Sequence, residues 1–89
     1  MTEMAKLKAA LEKMGVEHSY KRHFDGGEQI VVTTAGEYEW DAICTPHSYG
    51  GTEGLLEVMG KALIGNDVDV RGHLTAEDVL EVMKGRMQG

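Results

Sequence analysis

The chain has 89 residues, of which 42% are hydrophobic and 27% charged, so its composition excludes a disordered chain and predicts one domain over residues 1–89. The net charge of −6 lies mainly in residues 24–60, which contain seven acidic residues and no lysine or arginine. Because nucleic-acid binding needs clustered cations, this distribution argues against a nucleic-acid partner. It is typical either of a solvated acidic face that keeps a small protein soluble or of a surface that binds a basic protein partner.

The first predicted element is an amphipathic helix near the start of the chain. Met4, Leu7, Leu11 and Met14 recur at spacings of three and four residues, which places them on one side of a helix. Gly15 follows the last of them, in the position where a glycine commonly ends a helix. We expect the apolar side of this helix to pack into the core.

Three short strands are predicted next, over residues 16–21, 28–34 and 37–42. Apolar or aromatic residues alternate with polar ones, or β-branched residues are abundant, in each of them. Glycine-containing turns at 25–27 and 35–36 separate the strands. Such short connections predict an antiparallel meander.

The third of these strands has the clearest alternation. Its pattern predicts an inner side formed by Tyr38, Trp40 and Ala42, packed beneath helices. The acidic residues between them, Glu37, Glu39 and Asp41, are then expected to face solvent together.

Two further helices are predicted in the second half of the chain. Thr52 can cap a helix that starts at Glu53 and ends at Gly65, with an apolar stripe formed by Leu55, Val58, Met59, Ala62 and Leu63. Thr75 can cap the last helix, whose first turn is acidic. The predicted fold is therefore a single α+β domain, α-β-β-β-α-α, with a three-stranded antiparallel meander and helices packed on one face.

The single cysteine and the absence of long apolar runs bear on location. One cysteine favours a reducing cytoplasm over a disulfide-containing secreted fold, and no run of apolar residues is long enough to span a membrane. The residues do not indicate an oligomeric state.

Residues 44–51, CTPHSYGG, are the richest stretch in reactive groups. Cys44 and His47 have the side chains of a thiol enzyme, but a nucleophilic thiol also needs an orienting third group, and none lies nearby. The same pair is only half of a zinc pattern. The glycines at 50 and 51 lack the neighbouring cations of a phosphate site, and we expect them to shape a turn.

Residues 67–78 resemble a degenerate EF-hand loop. Asp67 and Asp69 fall at the first and third positions of such a loop, and Asp78 falls at the twelfth. Arg71 falls at the fifth position, where an oxygen ligand is required and a cation repels calcium. A turn followed by a capped helix accounts for the same residues without a metal.

Three segments resemble small uncharacterised proteins encoded in bacteriophages and prophages of Gram-positive bacteria. They are residues 38–44 (YEWDAIC), 48–60 (SYGGTEGLLEVMG) and 72–79 (GHLTAEDV), and the resemblance covers roughly residues 1–86. It implies a phage-associated, cytoplasmic protein and transfers no catalytic residues.

These observations favour a non-enzymatic, phage- or prophage-associated accessory protein that contacts an unknown host or phage protein and needs no cofactor. The predicted contact residues are Glu37, Glu39, Asp41, His47 and Tyr49, because interfaces favour exposed aromatic residues and clustered charge. A metal-responsive module that uses Asp67, Asp69 and Asp78 is the alternative, and a small thiol enzyme is the third possibility.

Overall fold

The computed structural model of the protein describes residues 1–66 and 69–88. Its elements in chain order are α1 (Glu3–Met14), β1 (His18–Arg22), β2 (Glu28–Thr34), β3 (Glu37–Cys44), a 3₁₀ turn (Gly51–Glu53), β4 (Leu56–Met59), α2 (Lys61–Ile64), β5 (Val70–Leu74) and α3 (Ala76–Gln88).

The five strands form one antiparallel sheet in the order β1-β2-β3-β4-β5. The predicted α+β class is therefore confirmed, but the sheet has five strands where three were predicted, and the predicted order of elements is wrong after β3. The helices cover one face of the sheet, where α1 contributes Met4, Leu7 and Leu11 to the same buried cluster as Trp40 and Leu56. The opposite face has no helix over it among the described residues.

The two predicted turns of the meander are present. Gly26 has a φ of 90°, and the side chain of Asp25 accepts a hydrogen bond from the backbone of Gly27. Ala35 and Gly36 both have positive φ, as a tight two-residue hairpin turn requires. The short connections predicted from the sequence therefore do produce antiparallel neighbours.

A β-bulge in β3 changes which residues face the helices. Val32 pairs with Trp40, whereas the next residue, Thr33, pairs with Tyr38, so Glu39 is an extra residue in β3. An extra residue reverses the alternation on one side of the bulge. Trp40 and Ala42 are buried as predicted, but Tyr38 is 53% exposed, and the prediction that Tyr38 and Trp40 share the inner face is wrong.

The predicted helix over residues 53–65 is also wrong. Residues 56–59 form β4, in which the fully buried Leu56 and Val58 alternate with the more exposed Glu57 and Met59. Only Lys61–Ile64 is helical, and Gly60 separates it from the strand. The apolar residues of this segment fit a strand followed by a short helix as well as they fit one helix, and pairing of β4 with both β3 and β5 favours the strand.

The first and last helices agree with their predicted ends. Gly15 ends α1 in the left-handed conformation, and the backbone N–H of Asp78 donates to the hydroxyl of Thr75 at the start of α3. Glu3 joins the two helices, because its Oε1 accepts from the backbone N–H of Ala76 at 2.8 Å. Met14, which was predicted to be part of the buried stripe, is exposed.

Candidate functional site: the open face of the sheet

The face of the sheet that lies opposite the helices has no covering element in the described parts of the chain. We call it the open face. It is formed by the strand residues whose side chains lie opposite the helix-facing ones: Ser19, Lys21, Gln29, Val31, Thr33, Tyr38, Asp41, Ile43, Glu57, Met59 and Val70.

Aromatic and apolar side chains are exposed on this face. Tyr38 is 53% exposed and Met59 is 38% exposed. Val31 on β2 and Ile43 on β3 are half-buried on the same face. Exposed apolar and aromatic side chains that are framed by polar ones are a common feature of protein contact surfaces. Tyr38 and Met59, framed by Thr33, Asp41 and Glu57, are therefore the part of the open face best suited to contact another molecule.

Tyr49 extends the open face from the loop that precedes β4. Its backbone N–H donates to the side chain of Glu57 at 3.0 Å, and its carbonyl accepts from the backbone of His73. A Cβ atom on Gly72 would lie 2.2 Å from the Cβ of Tyr49, so β5 needs a glycine where this loop crosses it. The Tyr49 side chain remains 62% exposed.

A buried carboxylate fixes the position of Tyr38. Asp41 is only 7% exposed, and it accepts hydrogen bonds from the Tyr38 hydroxyl and, at 3.1 Å, from the side-chain amide of Gln29. The amide oxygen of Gln29 in turn lies 3.2 Å from Nε2 of His23. This chain of hydrogen bonds runs from His23, just after β1, through Gln29 in β2 to Asp41 in β3, and it holds the tyrosine ring on the open face.

The predicted contact residues do not form one surface. Asp41 and Tyr49 both belong to the open face, but Asp41 is buried and therefore cannot act as the exposed acid that was predicted. Glu39 lines a depression on the helix side, because the bulge turns it away from the open face. Glu37 and His47 are exposed, at the start of β3 and in the loop after it.

Sequence reasoning missed Tyr38, Met59 and Phe24 as exposed residues. Tyr38 and Met59 were assigned to the core because a bulge and a strand–helix junction are not visible in the apolar pattern. Phe24 is fully exposed at the tip of the β1–β2 hairpin. Its position next to Asp-Gly-Gly, outside any strand alternation, is a signal that could have identified it.

The surroundings of Cys44 do not favour a thiol enzyme. Burial raises the pKa of the Cys44 thiol above its ordinary value, and the nearby carboxylate of Glu28 raises it further. The thiol donates to the carbonyl of Gly51 across 3.8 Å. A raised pKa lowers the fraction of thiolate at neutral pH, which is the opposite of what an activated nucleophile requires.

The structure describes two of the three EF-hand-like residues, since Asp67 lies outside the described residues. Asp69 precedes β5, and Asp78 follows it in the first turn of α3, so the whole strand separates them along the chain. Asp78 is also engaged with the backbone N–H of Thr75 at 3.0 Å. No group of three potential metal ligands occurs in residues 1–66 and 69–88.

The Gly50–Gly51 pair has a geometric role in the loop before β4. Gly50 has a φ of 90°, and a Cβ on Gly51 would lie 1.8 Å from the carbonyl oxygen of Thr45. The loop folds back against β3 and β5 at these two residues. The pair therefore shapes a turn, as predicted, although the turn leads into a strand.

The fold and the open face define an α+β protein with helices on one side of a five-stranded antiparallel sheet. No family model, curated protein or solved structure matches the chain. Among the described residues, none of the helices has both the length and the apolar character needed to cross a bilayer.

Proposed function

We propose that this protein is a non-enzymatic binding module whose open face contacts another protein. The observation that carries the proposal is the exposure of Tyr38, Met59 and Tyr49 on one side of the sheet, opposite the helices. The resemblance of residues 38–44, 48–60 and 72–79 to phage and prophage proteins supports a role as a cytoplasmic accessory protein of a phage or a lysogen.

The rigidity of the open face favours a contact role. The Tyr38 hydroxyl is hydrogen-bonded to Asp41, so its ring loses little conformational freedom on binding, and hydrogen bonds to Glu57 and His73 hold the backbone that carries Tyr49. Aromatic residues and methionine are enriched at interfaces, where rigid anchors contribute most of the affinity.

The charge of the segment that builds the face indicates the chemistry of the partner. Strands β2, β3 and β4 all lie within residues 24–60, which carry seven acidic residues and no lysine or arginine. Asp41 is buried, but Glu57 lies on the open face itself, beside Ile43, and is partly exposed. A partner surface that is apolar and also carries basic groups complements this arrangement.

A matched pair of methionine substitutions tests the proposal. Met59→Lys places a cation in the middle of the open face, whereas Met14→Lys makes the same change at the exposed end of α1. In affinity purification from host lysate, we expect a partner to be retained by the wild type and by Met14→Lys and to be lost with Met59→Lys. Binding of the purified partner should also weaken as salt is raised, because the complementary charges are screened.

Equal retention by both variants would exclude the open face as the contact surface. Retention of no partner by the wild type, in lysates of infected and uninfected hosts alike, would contradict the binding-module proposal itself. Circular dichroism of both variants shows whether the fold is intact before the comparison is made.

A further inference from the structure

A second concave site lies on the helix side of the sheet, away from the open face. It is a depression of about 250 Å³ between β2, β3, α2 and α3. Two of its lining residues, Thr34 and Glu39, are polar or charged. The other lining residues are apolar: Val16, Val32, Trp40, Ala62, Leu63 and Met83.

The bulge in β3 brings a carboxylate to this depression. Glu39 is the extra residue of the bulge and precedes Trp40, so it lies on the helix side of the strand. Bulges commonly redirect a single side chain toward a site. Within the described residues, the Glu39 carboxylate makes no ion pair or hydrogen bond, although Lys61 borders an adjoining depression that Glu39 also lines.

We propose that this depression is a binding site for a small arylalkyl ammonium, an apolar ring joined by a short chain to a protonated amine. Apolar cavities of about 150 Å³ hold benzene, so the present volume accommodates one ring with a short chain. The ring packs against Trp40, Val32 and Leu63, and the ammonium pairs with Glu39 at the edge.

The charge of the lining selects among ligands of the same shape. A neutral alcohol gains the burial of its ring but forms no ion pair with Glu39. A carboxylate of the same size is repelled by Glu39. Lys61 lines the adjoining depression together with Glu39 but forms no ion pair with it, so its ammonium is available to compete with the ligand for this carboxylate.

Three probes of similar shape test the site: phenethylammonium, 2-phenylethanol and 3-phenylpropionate. Trp40 is the only tryptophan of the chain and lines the depression, so its fluorescence and the NMR resonance of its indole N–H report occupancy directly. We expect saturable binding of phenethylammonium, weaker binding of the alcohol and none of the carboxylate.

Variants separate the charge of the site from its apolar lining. Glu39→Gln should weaken phenethylammonium binding about tenfold and leave the alcohol unaffected, a difference typical of one charge-assisted contact. Lys61→Met should strengthen amine binding by removing the competitor. Met59→Lys, on the opposite face of the sheet, should leave amine binding unchanged. The proposal of an ammonium site and the proposal of an open-face contact can therefore be contradicted independently.

Three outcomes would contradict the proposal that the depression binds an ammonium. They are an unperturbed Trp40 signal at millimolar phenethylammonium, equal binding of the three probes, and amine affinity that is the same in the wild type and Glu39→Gln.

Discussion

At the scale of the residue, Gly60 sets the geometry where the strand β4 turns into α2. Its φ of 130° is rarely adopted by other residues, and a Cβ there would lie 2.6 Å from both the Cα and the Cβ of Trp40. The absence of a side chain thus lets the chain cross directly over the bulged strand. Gly85, in contrast, lies within α3 with nothing near its missing Cβ.

These two glycines predict opposite effects of the same substitution. Gly60→Ala should lower the free energy of unfolding by about 3 kcal/mol, because neither the backbone conformation nor the contact with Trp40 tolerates a methyl group. Gly85→Ala should raise it by about 0.5–1 kcal/mol, since alanine favours the helix. Urea unfolding of both variants measures the difference, and a stabilising Gly60→Ala would show that the chain does not turn here as described.

At the scale of the element, two threonines that look alike in the sequence have different roles. Thr75 caps α3 reciprocally with Asp78, each side chain accepting from the backbone N–H of the other. Thr52 also precedes an acidic residue, yet it lies inside a 3₁₀ turn whose N-cap is Gly50 and which has no side-chain cap. A threonine next to an acidic residue therefore does not by itself identify the start of an α-helix, because the same pair also occurs in this 3₁₀ turn.

Substitution of each threonine by alanine distinguishes a helix from a strand after residue 53. Thr75→Ala should cost about 1 kcal/mol, the usual value for loss of an N-cap, whereas Thr52→Ala should have little effect. Thermal or urea unfolding is the measurement. A cost at Thr52 equal to that at Thr75 would support the helix that the sequence pattern predicted and would contradict β4.

At the scale of the whole molecule, Glu3 links the beginning of the chain to its last helix. Its carboxylate accepts from the Ala76 backbone and pairs with Lys6 at 3.0 Å, and these contacts, the first being the larger, hold the pKa of Glu3 below its ordinary value of 4.5. Glu12 and Glu17 also have lowered pKa values, through hydrogen bonds to Lys8 and to Thr33 respectively. Folding therefore favours the ionised form of all three carboxyl groups.

This preference predicts that the protein loses stability in acid. A pKa that is lower in the folded state gives stability that is present above the unfolded value and is lost as the pH falls through the folded value. Glu3→Gln should lower stability at neutral pH and make the loss of stability that accompanies acidification through and below pH 4.5 shallower than in the wild type. Urea midpoints measured across this range test it, and parallel pH profiles for the two proteins would contradict the role of Glu3.

The sequence by itself determined the α+β class, the capped ends of α1 and α3, and the turns between β1, β2 and β3. Each of these depends on neighbouring residues: a helical stripe closed by Gly15, a threonine with an acidic residue three positions later, and glycine where φ must be positive. Interactions between residues close in sequence do not depend on the rest of the fold, so the sequence predicts these helix ends and turns directly.

Only the tertiary structure decided the fourth and fifth strands, the bulge at Glu39 and the composition of the open face. The apolar pattern around Leu56 and Val58 is compatible with a strand as well as with a helix. Pairing with β3 and β5, whose residues are distant in sequence, decides that this segment is a strand. The bulge likewise arises from the pairing of two strands, and it decides that Tyr38 is exposed while Glu39 turns toward the helices. The candidate sites therefore depend on strand register, which is a property of the assembled sheet.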